Sequence, residues 1–288
     1  MSFQITEAFV QEFNANYIHL AQQNQSRLEN TVMVESGIVG MSKSINRLGL
    51  RTAQRRLNRH GDTPINDQPH STRFVDLYDY EDGDMLDDQD KIRLLTDPTS
   101  DYVKAMLAGH NRAKDDVIIS ALGAAARSAA STTVALPASQ QIAVGGTGLT
   151  KAKIIQAKKI FRTNEADEEA GEQLFMLYSA TALQDILSDT TLTSADYIAA
   201  QMLQSGTLRG TWMGFTWIPT ERCPKVSTTR SLYAYAKSGV CLGLGANIQA
   251  EVGKDPGKGF NYRVYAKQSI GAVRVEEEKV VQIDCVEP

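Results

Sequence analysis

Two clusters of opposite charge lie close together in this sequence and could take part in chemistry. The first is a basic tract, RTAQRRLNRH, which contains Arg51, Arg55, Arg56 and Arg59. The second is an acidic run further along the chain, whose carboxylates are Asp76, Asp79, Glu81, Asp82, Asp84, Asp87, Asp88 and Asp90. Such clusters can bind a cation, grip nucleic-acid phosphates, work in a catalytic site or pair with a neighbouring subunit. The surrounding residues help to decide among these uses.

The residue types that catalysis needs are present, but not in a catalytic arrangement. His19, His60, His70 and His110 form no HxH or HExxH spacing. No nucleophile stands out together with a base and an orienting group, so we predict that the chain is not an enzyme. We interpret His110 as a hydrogen-bonded core residue, because it lies on the apolar stripe of a long predicted helix.

The sequence also contains segments that resemble cofactor or metal motifs. The segment VGGTGLTK lacks the GK[ST] ending of a phosphate-binding loop, so we interpret it as a connector before a helix. The run DYEDGDMLDDQD has its glycine and acids out of step with a calcium loop. Cys223, Cys241 and Cys285 are too widely separated for a zinc knuckle, and we predict reduced core residues. We therefore predict no cofactor and no metal site.

Other uses of the charge clusters stay open. In a helix, Arg51, Arg55 and Arg59 would share one face and could bind phosphates, but no aromatic residue is interleaved for base stacking. A polar arm with opposite charges at its two ends can instead pair with another copy of itself. Each exposed ion pair contributes only about 0 to 1 kcal/mol, so such pairing needs many repeated contacts. The alternatives are a nucleic-acid-binding protein, an assembly subunit, a solvated loop and an enzyme with an unseen site in 173–218.

The composition is that of a folded protein with a substantial core. Hydrophobic residues make up 42% and charged residues 22% of the 288 residues, which excludes a disordered chain. The net charge of -4 is small, so the importance of charge lies in its distribution along the sequence. No apolar run approaches the roughly 18 to 20 residues that span a bilayer, and the start lacks a secretory signal. We expect a cytoplasmic chain without a membrane partner.

Predicted elements on either side position the charge clusters. An amphipathic helix over residues 7–30 carries Phe9, Phe13 and Tyr17 on its apolar stripe. Strand-like segments flank the polar stretch after Arg51, which predicts a long two-stranded excursion with a polar tip. Such a tip buries too little apolar area to offset its ordering entropy of about 1 to 2 kcal/mol per residue. Asp97 and Pro98 then begin a long helix to about position 127.

The rest of the chain alternates between helices and strands. Helices are predicted at 151–169, where Thr150 is the cap, and at 181–187 and 194–204. Strands are predicted at 173–178, 211–218, 233–236 and 240–244, and around 262–266. A final hairpin is predicted from 272–275 and 280–285. The pattern is typical of a mixed α/β region followed by a return to strands.

Three stretches carry a resemblance to a known family. They are RFVDLYDYEDGDMLDDQDKIRLLTDPTSDYVKAMLAGHNRAKDDVIISAL, SLYAYAKSGVCLGLGANIQAEV and YRVYAKQSIGAVRVEEEKVVQIDC. Their order resembles that of the major capsid proteins of tailed bacteriophages, which have the Hong Kong 97-type fold. The resemblance covers essentially the whole chain and rests on the order of elements.

The resemblance implies an α+β fold with five parts. These are an N-terminal arm (1–40), an extended hairpin called the E-loop (41–95), a peripheral (P) domain with a long spine helix (96–130), a mixed α/β axial (A) domain (131–240) and a strand return to the P domain (241–288). It also implies a capsid protein that self-assembles into hexamers and pentamers of an icosahedral shell around double-stranded DNA. We therefore expect it in the virion, after synthesis and assembly in the host cytoplasm.

In such a shell, we expect the E-loop to lie across an adjacent subunit. Its arginines Arg51, Arg55, Arg56 and Arg59 would face the carboxylates of another copy, among them Asp84, Asp87, Asp88 or Asp90. The N-terminal helix would bury Phe9, Phe13 and Tyr17 against another subunit.

The resemblance also implies partners. No long block precedes the predicted arm, so we expect a separate scaffolding protein. No cross-linking motif is present, so we expect noncovalent contacts or a cement protein to strengthen the shell. A portal protein and packaged double-stranded DNA, contacted non-specifically, complete the expected partners.

Overall fold

The computed structural model describes residues 22–55, 59, 65–86, 99–129, 132–188, 208 and 210–287. The chain forms two compact units. The first unit comprises Met1–Ser26, Asp79–Ala113 and Asn247–Ser269. The second comprises Arg27–Tyr78, Lys114–Ala246 and Ile270–Pro288. The architecture is α+β, as predicted.

A seven-stranded sheet lies in the second unit. Its strands, in spatial order, are β7 (Gln141–Ile142), β15 (Val280–Val286), β12 (Thr229–Ala236), β8 (Leu174–Tyr178), β10 (Phe215–Pro219) and β9 (Thr211–Trp212), and β11 (Lys225–Val226) also pairs with β12. Strand β8 is parallel to β10 and antiparallel to β12. All five residues of β8 are buried, which is typical of a strand covered on both faces.

A four-stranded sheet has the order β1-β13-β14-β4. Its strands are β1 (Met33–Ser36), β13 (Val240–Asp255), β14 (Asn261–Arg274) and β4 (Tyr78–Leu86). In the second unit, β1 runs parallel to the beginning of β13, from Met33 opposite Cys241 to Ser36 opposite Leu244. In the first unit, the rest of β13 and the beginning of β14 lie side by side, and β4 lies next to β14.

Two further sheets have two strands each. Strand β2 (Ser42–Leu48) pairs with β3 (His70–Asp76), and β5 (Ala126–Arg127) pairs with β6 (Thr133–Val134). The β2–β3 hairpin is the predicted two-stranded excursion. Its second strand was predicted at 74–80, but β3 ends at Asp76 and the chain enters β4 of another sheet at Tyr78.

The spine helix α1 spans Thr99–Gly123, shorter at its end than predicted. In the first unit, its residues Val103 and Met106 pack against Val264 and Ala266. The helix cannot continue to position 127 because the chain enters β5 at Ala126. The predicted capping residues Asp97 and Pro98 lie outside the described residues.

Helix α2 (Lys151–Thr163) ends before the predicted position 169. Glu165 adopts a left-handed backbone conformation with φ 54°, which stops the helix, and a short 3-10 turn follows at Glu168–Ala170. Thr150 holds the N-cap position, but its side chain makes no capping hydrogen bond. Helix α3 (Ala180–Ser188) matches its prediction, whereas the helix predicted at 194–204 lies outside the described residues.

The predicted final hairpin is wrong. Strands β14 and β15 follow one another but lie in different sheets, and the chain crosses between the sheets at Glu277–Lys279. The crossing from β12 to β13, at Lys237–Gly239, lies beside it, since the Val275 amide donates to the Gly239 carbonyl at 2.8 Å. Alternating strand patterns around a short turn fit this crossing as well as they fit a hairpin.

The predicted N-terminal helix does not reach position 30. Residues 22–28 are not helical, and only a 3-10 turn follows at Glu29–Thr31. The reason is a tertiary contact, because the buried carboxylate of Asp115 accepts hydrogen bonds from the backbone amides of Arg27 (3.0 Å) and Leu28 (3.3 Å). Those amides are then engaged by the spine helix instead of by a local helix.

Candidate inter-subunit surface

The β2–β3 hairpin, within the second unit, packs one face against the rest of that unit and turns the other to solvent. Its register runs from Ser42 opposite Asp76 to Leu48 opposite His70. Successive side chains alternate between faces, so Ile45, Arg47, Arg73 and Val75 share one face. On that face Val75 is buried and Ile45 is half-buried, in a cluster with Ala126, Cys241, Val273 and Val275.

Arginines from both strands meet one buried carboxylate at the base of the hairpin. The Arg73 guanidinium donates to Glu277 Oε1 at 2.8 Å, and Arg47 lies 3.2 Å from Glu277 Oε2. Arg274 is fully buried and its Nε is 3.9 Å from the same carboxylate. Its guanidinium also donates to the carbonyls of Leu122 and Ala124 at the end of helix α1, and to Val134. This group of four charged residues is called the basal cluster below.

The electrostatics of the basal cluster favour a charged Glu277. Burial alone would raise the pKa of the Glu277 carboxyl, but hydrogen bonds and positive charge from Arg73, with a further hydrogen bond from Arg47, outweigh burial. The pKa therefore lies below its ordinary value. Burial lowers the pKa of the Arg274 guanidinium, an effect that Glu277 opposes. Removal of the carboxylate would leave three guanidinium groups near one another without their shared counter-ion.

Two more contacts fix the base of the hairpin to the rest of the second unit. Arg127 forms an ion pair with Asp76 at 2.5 Å, and its guanidinium lies 4.8 Å from the centre of the Phe74 ring. Gly271 in β14 approaches the backbone of Asp76 so closely that an added Cβ would overlap the Asp76 carbonyl oxygen. The base of the hairpin is therefore held by charge, by stacking and by close backbone approach.

Beyond Gly49 and Pro69 the two sides of the hairpin are joined by polar contacts. The Gly49 amide donates to the Pro69 carbonyl at 2.9 Å, and the Gln68 side chain donates to the Gly49 carbonyl at 2.6 Å. Further out, Asn66 donates to the Thr52 carbonyl at 3.1 Å and accepts from Gln54 at 3.2 Å. The residues from Gly49 to Arg55, Arg59, and those from Ile65 to Pro69 are called the distal loop below.

The distal loop exposes the predicted arginines. Arg51, Arg55 and Arg59 are exposed, and none of them forms an ion pair with a carboxylate in the part of the chain that the structure describes. Residues 51–55 are not helical, so the shared helical face that would favour phosphate binding does not form there. Arg56 lies outside the described residues.

Exposed apolar side chains accompany these arginines and were not among the predicted contact residues. Leu50 is 98% exposed, Ile65 91% and Leu48 71%. These three side chains offer apolar area that a contacting molecule would bury. The alternation of β2 could have indicated Leu48, because Ile45 and Arg47 face inward and the intervening positions must face outward.

The predicted acidic partners are only partly described. Asp84 lies in β4, and its side chain is exposed and accepts a hydrogen bond from the Met85 amide at 2.8 Å. Asp87, Asp88 and Asp90 lie outside the described residues, as do Phe9, Phe13 and Tyr17. The contacts predicted for these residues stay predictions.

The glycine-rich connector before helix α2 holds a lysine of its own chain. The ammonium of Lys153 donates to the carbonyls of Val144 (2.8 Å), Thr147 (2.9 Å) and Asp284 (2.8 Å). Carbonyl oxygens of the glycine-rich connector thus accept hydrogen bonds from a lysine of the same chain. A phosphate site needs hydrogen-bond donors, so this arrangement of carbonyls does not suit one. Burial lowers the Lys153 pKa, and nearby Cys285, Asp284 and Asp185 oppose that effect.

His110 and the cysteines are buried, as predicted. His110 Nε2 has no hydrogen-bond partner among the described residues, so the expected side-chain bond is not found at that atom. Cys223, Cys241 and Cys285 are free and buried. Burial raises the pKa of the Cys223 thiol to about 12 and that of the Cys285 thiol to about 11, which leaves both unreactive near neutral pH.

No helix in the described ranges is long and apolar enough to cross a membrane.

A search of curated protein sequences found no match. Solved structures are similar in fold. One from Mycobacterium phage Che8 is 17% identical, with a TM-score of 0.72 over 96% of this chain and 97% of that one. The capsid of Ralstonia phage GP4 is 11% identical, with a TM-score of 0.72 over 100% of this chain and 98% of that one.

The capsid of cyanophage P-SCSP1u is similar too, at 13% identity and a TM-score of 0.71 over 100% of this chain and 96% of that one. At these identities, the structures show a shared fold. That fold is the Hong Kong 97-type fold that the order of elements predicted. A sequence model described as "Phage capsid protein" matches residues 5–287, nearly the whole chain. The chain therefore belongs to this family of phage capsid proteins.

Proposed function

We propose that this protein is a major capsid protein whose copies assemble as hexamers and pentamers into an icosahedral shell that encloses double-stranded DNA. The observation that carries the proposal is the family match over residues 5–287. The role is structural and non-enzymatic, because the work of such a protein is to bind its own copies. Its place is the virion.

Within that proposal, the domains follow the capsid fold. Residues 1–40 form the N-terminal arm, 41–95 the E-loop, 96–130 the spine part of the P domain, 131–240 the A domain and 241–288 the strand return. The β2–β3 hairpin supports the E-loop assignment, since both strands are antiparallel and lead to an exposed distal loop.

The distal loop is the proposed contact with an adjacent subunit. Exposed Leu50 and Ile65 would lose water on contact, a gain of about 25 cal/mol per Å² of apolar surface buried. Arg51, Arg55 and Arg59, together with Arg56, would pair with carboxylates of the other copy, such as Asp84, Asp87, Asp88 and Asp90. Exposed pairs of this kind contribute only about 0 to 1 kcal/mol each, so the apolar contacts supply affinity and the charges set register.

The N-terminal arm would add a second contact, in which Phe9, Phe13 and Tyr17 bury against another subunit. The later part of the arm is well held, because Asp115 binds the amides of Arg27 and Leu28, and Lys114 pairs with Glu29 at 2.8 Å. A scaffolding protein, a portal protein, a cement protein and non-specifically contacted DNA complete the proposed partners.

The proposal is tested by expressing the protein alone and together with candidate scaffolding proteins from the same phage genome. Sedimentation and negative-stain electron microscopy should find capsomer rings or closed shells. A compact monomer under all of these conditions would contradict the proposal.

The charge pairing is tested separately with Asp87→Lys combined with Asp88→Lys. We expect a lower yield of shells and an altered dependence on salt, because like charges would then meet at the contact. Shell formation equal to that of the unchanged protein at every ionic strength would contradict charge pairing while leaving the shell itself untouched.

A further inference from the structure

The chain over residues 22–27 has no apolar side chain that could fix its path by burial. Its sequence is QQNQSR, and the completely buried Leu28 follows it. The segment is not helical, so a helical ladder does not engage its backbone carbonyls. Within it, the Gln23 side chain donates to the Gln25 carbonyl at 2.8 Å. Polar contacts must therefore order this stretch, because no apolar area is available to offset its conformational entropy.

Two consecutive residues of helix α1 supply such contacts within the first unit. Asn111 Nδ2 donates to the Asn24 carbonyl at 2.9 Å. Arg112 Nη1 donates to the Gln23 carbonyl at 3.2 Å and to Gln22 Oε1 at 2.8 Å. All of these residues belong to the first unit. Two successive residues of the helix thus hold three successive residues of the segment.

These contacts constrain the backbone more than they select side chains. Two of the three acceptors are main-chain carbonyls, and the donor on Arg112 is charged, which strengthens its hydrogen bonds. In the second unit, Asp115 separately fixes the amides of Arg27 and Leu28. Asn111 and Arg112 act before that point, on the residues from which the rest of the arm continues.

We propose that Asn111 and Arg112 are positioning residues for assembly, which set the direction in which the N-terminal arm leaves helix α1. This inference rests on the proposed function, in which residues 1–40 form an arm that contacts an adjacent subunit. Both residues act through the backbone of 22–24, so their loss should alter assembly without unfolding the chain. Alanine has the highest helix propensity, so replacing both with alanine leaves the helix intact.

The hold on the segment is tested with trypsin on the unassembled protein. Residues 1–26 contain no lysine or arginine, so the first cut in the arm falls after Arg27. Cleavage requires several residues on either side of the cut, Asn24 among them, to leave the protein surface. Asn111→Ala combined with Arg112→Ala should speed this cut about tenfold, which corresponds to about 1.4 kcal/mol of lost local stability.

The matched control for that experiment is Asn247→Ala combined with Arg263→Ala. It removes an exposed asparagine and an exposed arginine of the same unit, and it should leave the rate of cleavage after Arg27 unchanged. Equal rates in the two double variants would overturn the proposal.

Shell yield and thermal stability of the same proteins separate positioning from a purely structural role. We expect the yield of Asn111→Ala with Arg112→Ala to fall at least about tenfold, because a shell repeats the loss in every copy. Its midpoint of thermal unfolding should stay within about 3 °C of that of the control. An unchanged yield would overturn the proposal, as would a fall in yield matched by a larger fall in the midpoint. Failure of the unchanged protein to form shells would instead overturn the proposed function, so the two failures are distinguishable.

Discussion

The base and the distal loop of the β2–β3 hairpin belong to one excursion of the chain but depend on different forces. At the base, Arg47 and Arg73 reach a buried Glu277, and Gly271 fits against the backbone of Asp76. In the distal loop, Leu50 and Ile65 are almost fully exposed. One excursion of the chain thus combines a base held by buried charge with a far end that stays exposed.

Glu277→Ala should destabilise the base of the hairpin more than any other change considered below. It leaves Arg47, Arg73 and Arg274 without their shared carboxylate, and removing one partner of a buried charge group costs about 3 to 5 kcal/mol. The free energy of unfolding of the unassembled protein, measured with urea, is the readout. Glu278→Ala is the matched control, since Glu278 is the next residue and exposed, and it should change little. Equal effects of the two variants would show that the basal cluster does not hold the hairpin.

Gly271→Ala should have the next largest effect. The new methyl group would overlap the Asp76 carbonyl oxygen, and forcing the two backbones apart costs about 1 to 3 kcal/mol. Gly253→Ala is the control, because nothing lies within 4 Å of a Cβ added there. Thermal unfolding of both variants measures the difference. A Gly271→Ala protein as stable as the Gly253→Ala protein would argue against close packing at the base.

Lowering the pH should destabilise the base of the β2–β3 hairpin before it affects the distal loop. The pKa of Glu277 is lower in the folded protein than the value of about 4.3 expected for an unfolded chain. Its contribution is therefore complete above that value and is lost as the pH falls through the folded pKa. In Glu277→Gln the free energy of unfolding should fall less steeply below about pH 4.3 than in the unchanged protein. If the free energy of unfolding, measured with urea, fell equally steeply with pH in both proteins, Glu277 would not be the group responsible.

The smallest effect on folding should come from the distal loop. Arg51→Ala, Arg55→Ala and Arg59→Ala together should change the free energy of unfolding by no more than about 0.5 kcal/mol, because these side chains are exposed. The same variant should lower shell yield. Arg47→Ala, in the base, is the control that should lower stability instead. A triple variant that unfolds as easily as Arg47→Ala would erase the distinction between base and loop.

The sequence predicted most elements of the fold because their patterns are local. Alternation marked β2 and the end of β3, and helical spacing marked α1 and α2. The errors arose where distant contacts override local preference. Asp115 holds the amides of Arg27 and Leu28, where the first helix was expected to continue, and the crossing at Glu277–Lys279 places β15 beside β12 instead of β14. A local pattern carries no information about which sheet a strand will join.

The candidate surface, too, was predicted only in part. The cluster of exposed arginines could be recognised from its polar surroundings, and Arg51, Arg55 and Arg59 are indeed in water. The basal cluster was missed, although Arg73 alternates with buried Val75 and therefore had to face inward. An inward arginine requires a buried carboxylate. Only the folded chain identifies that carboxylate as Glu277, some two hundred positions away.

A polar excursion rich in arginine ahead of a long helix can be recognised from the sequence alone, because composition and periodicity are properties of neighbouring residues. Tertiary structure decided which charges are buried together and which stay exposed. It brought Arg47, Arg73 and Arg274 to one carboxylate and left the distal loop in water. The physical reason is desolvation, since a buried charge is stable only beside a partner whose position the whole fold must supply.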